Sequence, residues 1–154
     1  MKNREITLQS ALEDIIARCE YCSMAMIDQN NHPYVLPMNF GYADGVVYLH
    51  SAPEGKKVDI LRNNKRVCLA FSTDHELRRQ NDDVACSYSM KYRSVLIYGK
   101  VEFIDDPTEK RRVLNILMKQ YTGRDNFNYN DPAIKNVLVY KVAAEKMEGR
   151  AYGY

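Results

Sequence analysis

Residues 34–57 read YVLPMNFGYADGVVYLHSAPEGKK, and the fold turns on this stretch. Two runs rich in β-branched and aromatic residues flank Asp44-Gly45, a pair suited to a type I′ turn, whose two central residues both need positive φ. The reading is a hairpin between a strand from Tyr34 to Tyr42 and a strand from Val46 to Ser51. Pro53-Glu54-Gly55 then breaks the second strand. Val58, Ile60 and Leu61 supply the apolar side of a short helix that ends near Asn63-Asn64.

A strand that runs through a tight turn into a helix brings free backbone N–H groups and a positive dipole end to one place, which favours an anion. Lys56 and Lys57 fall in the first turn of that helix. Cations there oppose the dipole, which costs stability unless something negative lies close by, and Ser51 adds a hydroxyl donor on the same approach. A phosphate satisfies all of these groups. The other reading is a pair of solvated lysines on an ordinary surface turn.

Upstream, Leu8, Leu12, Ile15, Ile16 and Cys19 recur at helical spacing, with Ser10 and Glu13 placed to form a capping box. Tyr21 to Ile27 suits a strand, and Asp28-Gln29-Asn30-Asn31 turns the chain into the strand beginning at Tyr34. Downstream, Val67 to Ser72 returns as a strand. Thr73 to Ser89 has no sustained period and is expected to be a long connection. Tyr92 to Ile104 is a long strand. Asp106-Pro107-Thr108-Glu109 opens a helix with a cap residue, a proline in the first turn and an early acid, and Gly123 stops it. Val113, Leu114, Leu117, Met118 and Tyr121 form its apolar face. A last strand covers about Val137 to Ala144, and Gly149-Arg150-Ala151-Tyr152 is expected to be a frayed tail. Many strands, few helices and hairpin links predict one domain over residues 1–154, mainly β (α+β), a closed antiparallel barrel with helices packed outside.

Composition narrows the function classes. Twenty-two basic and 20 acidic residues leave a net charge of +2, too small a field to gather nucleic acid or an anionic membrane by charge alone. No apolar run approaches the roughly 20 residues of a membrane span, and Met1 to Asn30 lacks the order of a signal peptide, so a cytoplasmic location is expected. The four cysteines fit that compartment as reduced thiols. Cys19-x-x-Cys22 lies where a helix ends and a strand begins, which favours small buried thiols over a redox pair. With Cys68, Cys86, His32, His50 and His75 scattered, no metal site is expected.

The order and spacing of several segments resemble the FMN-binding split-barrel superfamily, which contains pyridoxamine 5′-phosphate oxidase and the nitroimidazole-resistance proteins. These are the opening helix with Tyr21 to Ile27, Pro33 to Phe40, Tyr48 to Ala52, Gly55 to Leu61, Tyr92 to Gly99 and the helix holding Glu109-Lys110. The resemblance implies an antiparallel split β-barrel of Greek-key type with peripheral helices, binding FMN at a homodimer interface. By the same resemblance, Val35, Leu36, Pro37 and Met38 lay their backbone along the flavin ring, and Ser51, Lys56 and Lys57 hold its phosphate. Arg93 and Ser94 match a segment that reaches the flavin, often from the partner subunit. His50 matches a position facing the flavin, where it could handle a proton or position a substrate; a strand-end histidine bonded to nearby backbone is the equal alternative.

Departures from the pattern shape the expected activity. Val35 and Phe40 stand where authentic pyridoxamine phosphate oxidases have arginine and lysine, and the chain has no tryptophan for their C-terminal motif. Oxidation of that vitamer is therefore not expected. His50-Ser51-Ala52, the Cys86 region and Tyr92-Arg93-Ser94-Val95 resemble the nitroimidazole-resistance branch. The implied activity is an FMN-dependent oxidoreductase that takes hydride, with a nicotinamide as a candidate donor, and passes electrons to a small planar, nitroaromatic acceptor. The rival expectation is a module that binds flavin or haem without turnover.

Overall fold

The computed structural model describes residues 1–154. In chain order the elements are β1 (Asn3–Ile6), α1 (Gln9–Ala17), β2 (Cys22–Ile27), β3 (Pro33–Met38), β4 (Gly41–Ala43), β5 (Val46–Ser51), α2 (Lys56–Asn63), β6 (Arg66–Arg78), β7 (Ser89–Ile104), α3 (Pro107–Thr122), α4 (Asp131–Asn136), β8 (Leu138–Ala143) and β9 (Lys146–Tyr152). The antiparallel sheet runs β3-β2-β6-β7-β8-β5-β4, with β9 pairing both β7 and β1. It is a split barrel rather than a closed one, because β3 and β4 end the path without pairing each other.

The seam explains one difference from the sequence reading. Tyr34 to Tyr42 is two strands, because the chain leaves β2 at Met38, crosses the opening through Asn39-Phe40 and joins β5 at Gly41. Phe40 is fully buried there, edge-on to Phe71 with ring centres 4.9 Å apart. Its N–H donates to the Tyr121 hydroxyl at 3.1 Å, which donates in turn to the Glu20 carbonyl at 2.9 Å, so α3 pins the crossing. The hairpin turn is as expected, with Asp44 at φ 49° and Gly45 at φ 78°.

One apolar core fills the barrel and includes Leu12, Ile15 and Ile16 of α1. A smaller one lies under α3 and joins Tyr48, Ile104, Val113, Leu117 and Val139. Strand alternation puts Val47 and Leu49 into the first and Tyr48 into the second, so β5 is covered on both faces. The start of α3 is as read: the Asp106 carboxylate accepts from the Glu109 N–H at 2.9 Å, Pro107 follows the cap, and Gly123 at φ 76° ends the helix.

Four local readings are corrected. Helix α1 begins after Leu8 with no side-chain cap, so Ser10 and Glu13 form no capping box. Thr73 to Ser89 is not one loop. Strand β6 continues to Arg78 and pairs with β7 from Ser89, across an irregularity between Thr73 and Glu76 where Asp74 takes φ 56°. This arm is exposed along most of β6 beyond Asp74, so no buried face imprints a period of two on the sequence. The C-terminal residues are not frayed. Gly149 to Tyr152 sit between Asn3 to Ile6 on one side and Tyr92 to Val95 on the other. Finally, β1 and α4 escaped the sequence reading. β1 is almost wholly exposed, and α4 is six residues long, too short for a clear helical period. No helix is long and apolar enough to cross a membrane.

Candidate functional site

The turn from β5 to α2 is built on Gly55, whose φ of 128° with ψ of 172° is a conformation that side chains other than hydrogen rarely permit. It lets the chain reverse directly into α2. Buried Val58, Ile60 and Leu61 then fix that helix against the barrel. The N-terminus of α2 therefore has a set position beside β3. Lys57 Nζ lies 3.5 Å from Met38 Sδ, and Lys56 Nζ lies 4.6 Å above the Tyr34 ring.

Neither lysine has a carboxylate within 4.0 Å, although ion pairs are frequent elsewhere on the molecule. Lys57 is half-buried, and burial lowers its pKa below the ordinary lysine value. A thioether is a weak acceptor for an ammonium. Two cations at the positive end of a helix, one partly desolvated and neither in a close ion pair, make a site that an anion stabilises.

Ser51 ends β5 on the same face as Leu49, and its hydroxyl donates to the Ala52 carbonyl at 2.9 Å. His50 takes the opposite face. Solvent reaches part of the residue, yet the surrounding protein, and then the charge of Lys57, hold the imidazole pKa below its ordinary value. His50 is therefore mainly neutral at pH 7. Val35 to Met38 lie on an edge strand, with Val35 62% exposed and Met38 buried, so one side of their backbone faces away from β2. The structure thus gathers Val35, Leu36, Pro37, Met38, His50, Ser51, Lys56 and Lys57 at one end of the barrel.

Arg93 and Ser94 are elsewhere in the chain. The Ser51 end of β5 lies near Ile104, because His50 and Ile104 both pair with Val139. Arg93 is 11 residues back along β7, three residues before Leu96, which lies three strands across the sheet from Pro37. Its guanidinium bonds the Asp74 carboxylate at 2.9 Å and stacks on the Tyr154 ring at 3.8 Å. Arg18 holds the same carboxylate at 2.9 Å, and the two cations keep its pKa below the usual range. Ser94 points to the other face of β7, opposite Ser72 and Arg150.

Cys19 and Cys22 are buried, and burial raises their thiol pKa values to about 11 and about 12. They are thiols at neutral pH, without the thiolate that redox exchange needs. No three His, Cys, Asp or Glu side chains cluster as a metal would require. The sequence reading missed two residues beside the site, Tyr34 under Lys56 and Tyr140 on β8. Neither carries a local signal, since contacts between strands bring both there.

The family pattern described as pyridoxamine 5′-phosphate oxidase matches residues 9–151. Among solved structures, a protein provisionally named for 5-nitroimidazole antibiotic resistance, from Bacteroides thetaiotaomicron, is 45% identical with a TM-score of 0.87, over 97% of this chain and 87% of that one. An FAD and heme binding protein from Mycobacterium smegmatis shares the fold at 16% identity, with a TM-score of 0.83 over 97% of this chain and 74% of its own. A flavocytochrome from Azotobacter vinelandii does so at 18% identity, with a TM-score of 0.82 over 97% and 70%. No curated protein matches the sequence. Matched over nearly its whole length and nearly half identical to one solved relative, the chain belongs to the pyridoxamine 5′-phosphate oxidase-like family of split-barrel proteins.

Proposed function

We propose that this chain is an FMN-dependent oxidoreductase that passes electrons to a small planar acceptor of the nitroaromatic class, with a nicotinamide as hydride donor. The observation that carries the reading is the pair Lys56 and Lys57 at the N-terminus of α2, neither in a close ion pair, beside Ser51 and the open edge of β3. In this reading the two ammonium groups and the Ser51 hydroxyl hold the phosphate, and the outward backbone of Val35 to Met38 lies along the ring. A bound flavin would supply two-electron chemistry at N5. His50, on the other face of β5 from Ser51, handles a proton. The 45% identical relative named for nitroimidazole resistance supports the acceptor class. The neutral His50 imidazole also suits a metal ligand, which keeps a flavin- or haem-binding module as the second reading. Denaturing the purified protein and weighing the released cofactor separates them: FMN is expected, whereas haem or no cofactor rejects the proposal.

The pocket also needs a second chain. The Arg93 guanidinium is held by Asp74 and Tyr154 within its own protomer, and Ser94 faces outward on β7, so in this reading their contribution comes from a partner. The outer face of β3, β2, β6 and β7 offers a place for that partner: Val35, Ala25, Cys68 and Tyr98 lie across it in register, as do Pro37, Ser23, Ala70 and Leu96. Most of these residues are small or apolar, and all are exposed or half-buried. Light scattering is expected to give about twice the 17.9 kDa chain mass. A monomer with a full complement of flavin would reject this arrangement.

A further inference from the structure

Tyr140 is fully buried, yet its hydroxyl has no hydrogen-bond partner. Buried hydroxyls are nearly always satisfied, and one left alone costs free energy, so an orphan at this position asks for a partner. The strand register shows where that partner lies. Tyr140 pairs with Leu49 and Ser51 pairs with Leu138, so Tyr140 and Ser51 are diagonal neighbours on the inward face of β5 and β8. Diagonal neighbours are within reach of an aromatic side chain. The ring is held edge-on to Phe103 at 5.8 Å, which limits the directions its hydroxyl can take. Burial raises the Tyr140 pKa and the nearby Ser51 side chain lowers it, a sign that the two hydroxyls are close.

Resting on the reading of Ser51 as a phosphate ligand, we infer that Tyr140 is a positioning residue for Ser51. In the structure the Ser51 proton is directed to the Ala52 carbonyl. When the Ser51 hydroxyl turns to donate to a phosphate oxygen, its own oxygen is left as an acceptor, and the Tyr140 O–H donates to it. The buried orphan is satisfied in the same movement. The tyrosine never touches the ligand; it sets the direction of the serine that does.

The test compares FMN with riboflavin, which has the same ring and no phosphate, by flavin fluorescence titration of the flavin-stripped protein. Tyr140→Phe is expected to weaken FMN roughly three- to tenfold, the scale of one neutral hydrogen bond, and to leave riboflavin affinity unchanged. In a Ser51→Ala background the same substitution is expected to have no further effect on FMN. The thermal midpoint of stripped Tyr140→Phe should equal or exceed that of the parent, since the change removes an unsatisfied group. Equal loss for both flavins, unchanged FMN affinity, or additive losses with Ser51→Ala overturns the role of Tyr140 alone. Unchanged FMN affinity in Ser51→Ala overturns the placement of the phosphate, and this proposal with it.

Discussion

The double substitution Lys56→Glu with Lys57→Glu is expected to purify folded and without FMN. Each charge-assisted hydrogen bond is worth roughly 1.5 to 3 kcal/mol, so losing two weakens the Kd by about two to four decades, before any repulsion is counted. The fold itself should survive. Lys56 is exposed and Lys57 half-buried, and glutamates in the first turn of α2 suit the helix dipole better than lysines do. Circular dichroism and the thermal midpoint check the fold, and absorbance of the released cofactor checks retention. A variant that still carries stoichiometric FMN places the phosphate elsewhere.

Substituting His50→Ala is expected to keep FMN and slow reoxidation of the reduced protein by a nitroaromatic acceptor by roughly a hundredfold. Reduction of a nitro group consumes protons as well as electrons, and the imidazole is the titratable group near neutrality on that side of β5. Burial and Lys57 both disfavour the imidazolium, so its pKa lies below the usual histidine value. The sign follows: wild-type reoxidation accelerates as pH falls toward and through the lowered pKa, whereas the alanine variant stays flat. Stopped-flow traces between pH 5.5 and pH 8, on the order of one unit either side of the usual histidine value, measure both effects. Equal rates for the two proteins leave His50 structural and favour the binding-module reading.

Turn chemistry and helix signals made much of the molecule legible. Asp44-Gly45, Gly55 with α2, and Asp106-Pro107 with Gly123 are local codes, because the backbone angle or cap that each residue type serves lies within a few residues of it. What escaped was set by distant partners. The pairing of β9 with β1 joins residues at the two ends of the chain, and the exposed arm of β6 and β7 carries no buried face to print a period. The same division holds at the site. Lys56, Lys57 and Ser51 could be read from one strand-turn-helix segment. Tyr140 could not, since only the register of β8 against β5 brings it beside Ser51. Arg93 was legible as a candidate but not its bond to Asp74, which depends on the irregularity in β6.

The edge formed by β3 carries one more consequence, for what the protein refuses. Pro33, Val35 and Pro37 share one side of the ladder, and an edge strand accepts proline where the missing N–H would have faced away from its neighbour. Val35 alone then keeps an outward donor on that side. An edge so depleted is a poor template for another polypeptide to add a strand, even though Val35 is exposed and apolar. The carbonyl groups, and that single amide, remain open to a small flat molecule. The two prolines thus disfavour self-association by strand addition along the edge that the proposed flavin would occupy.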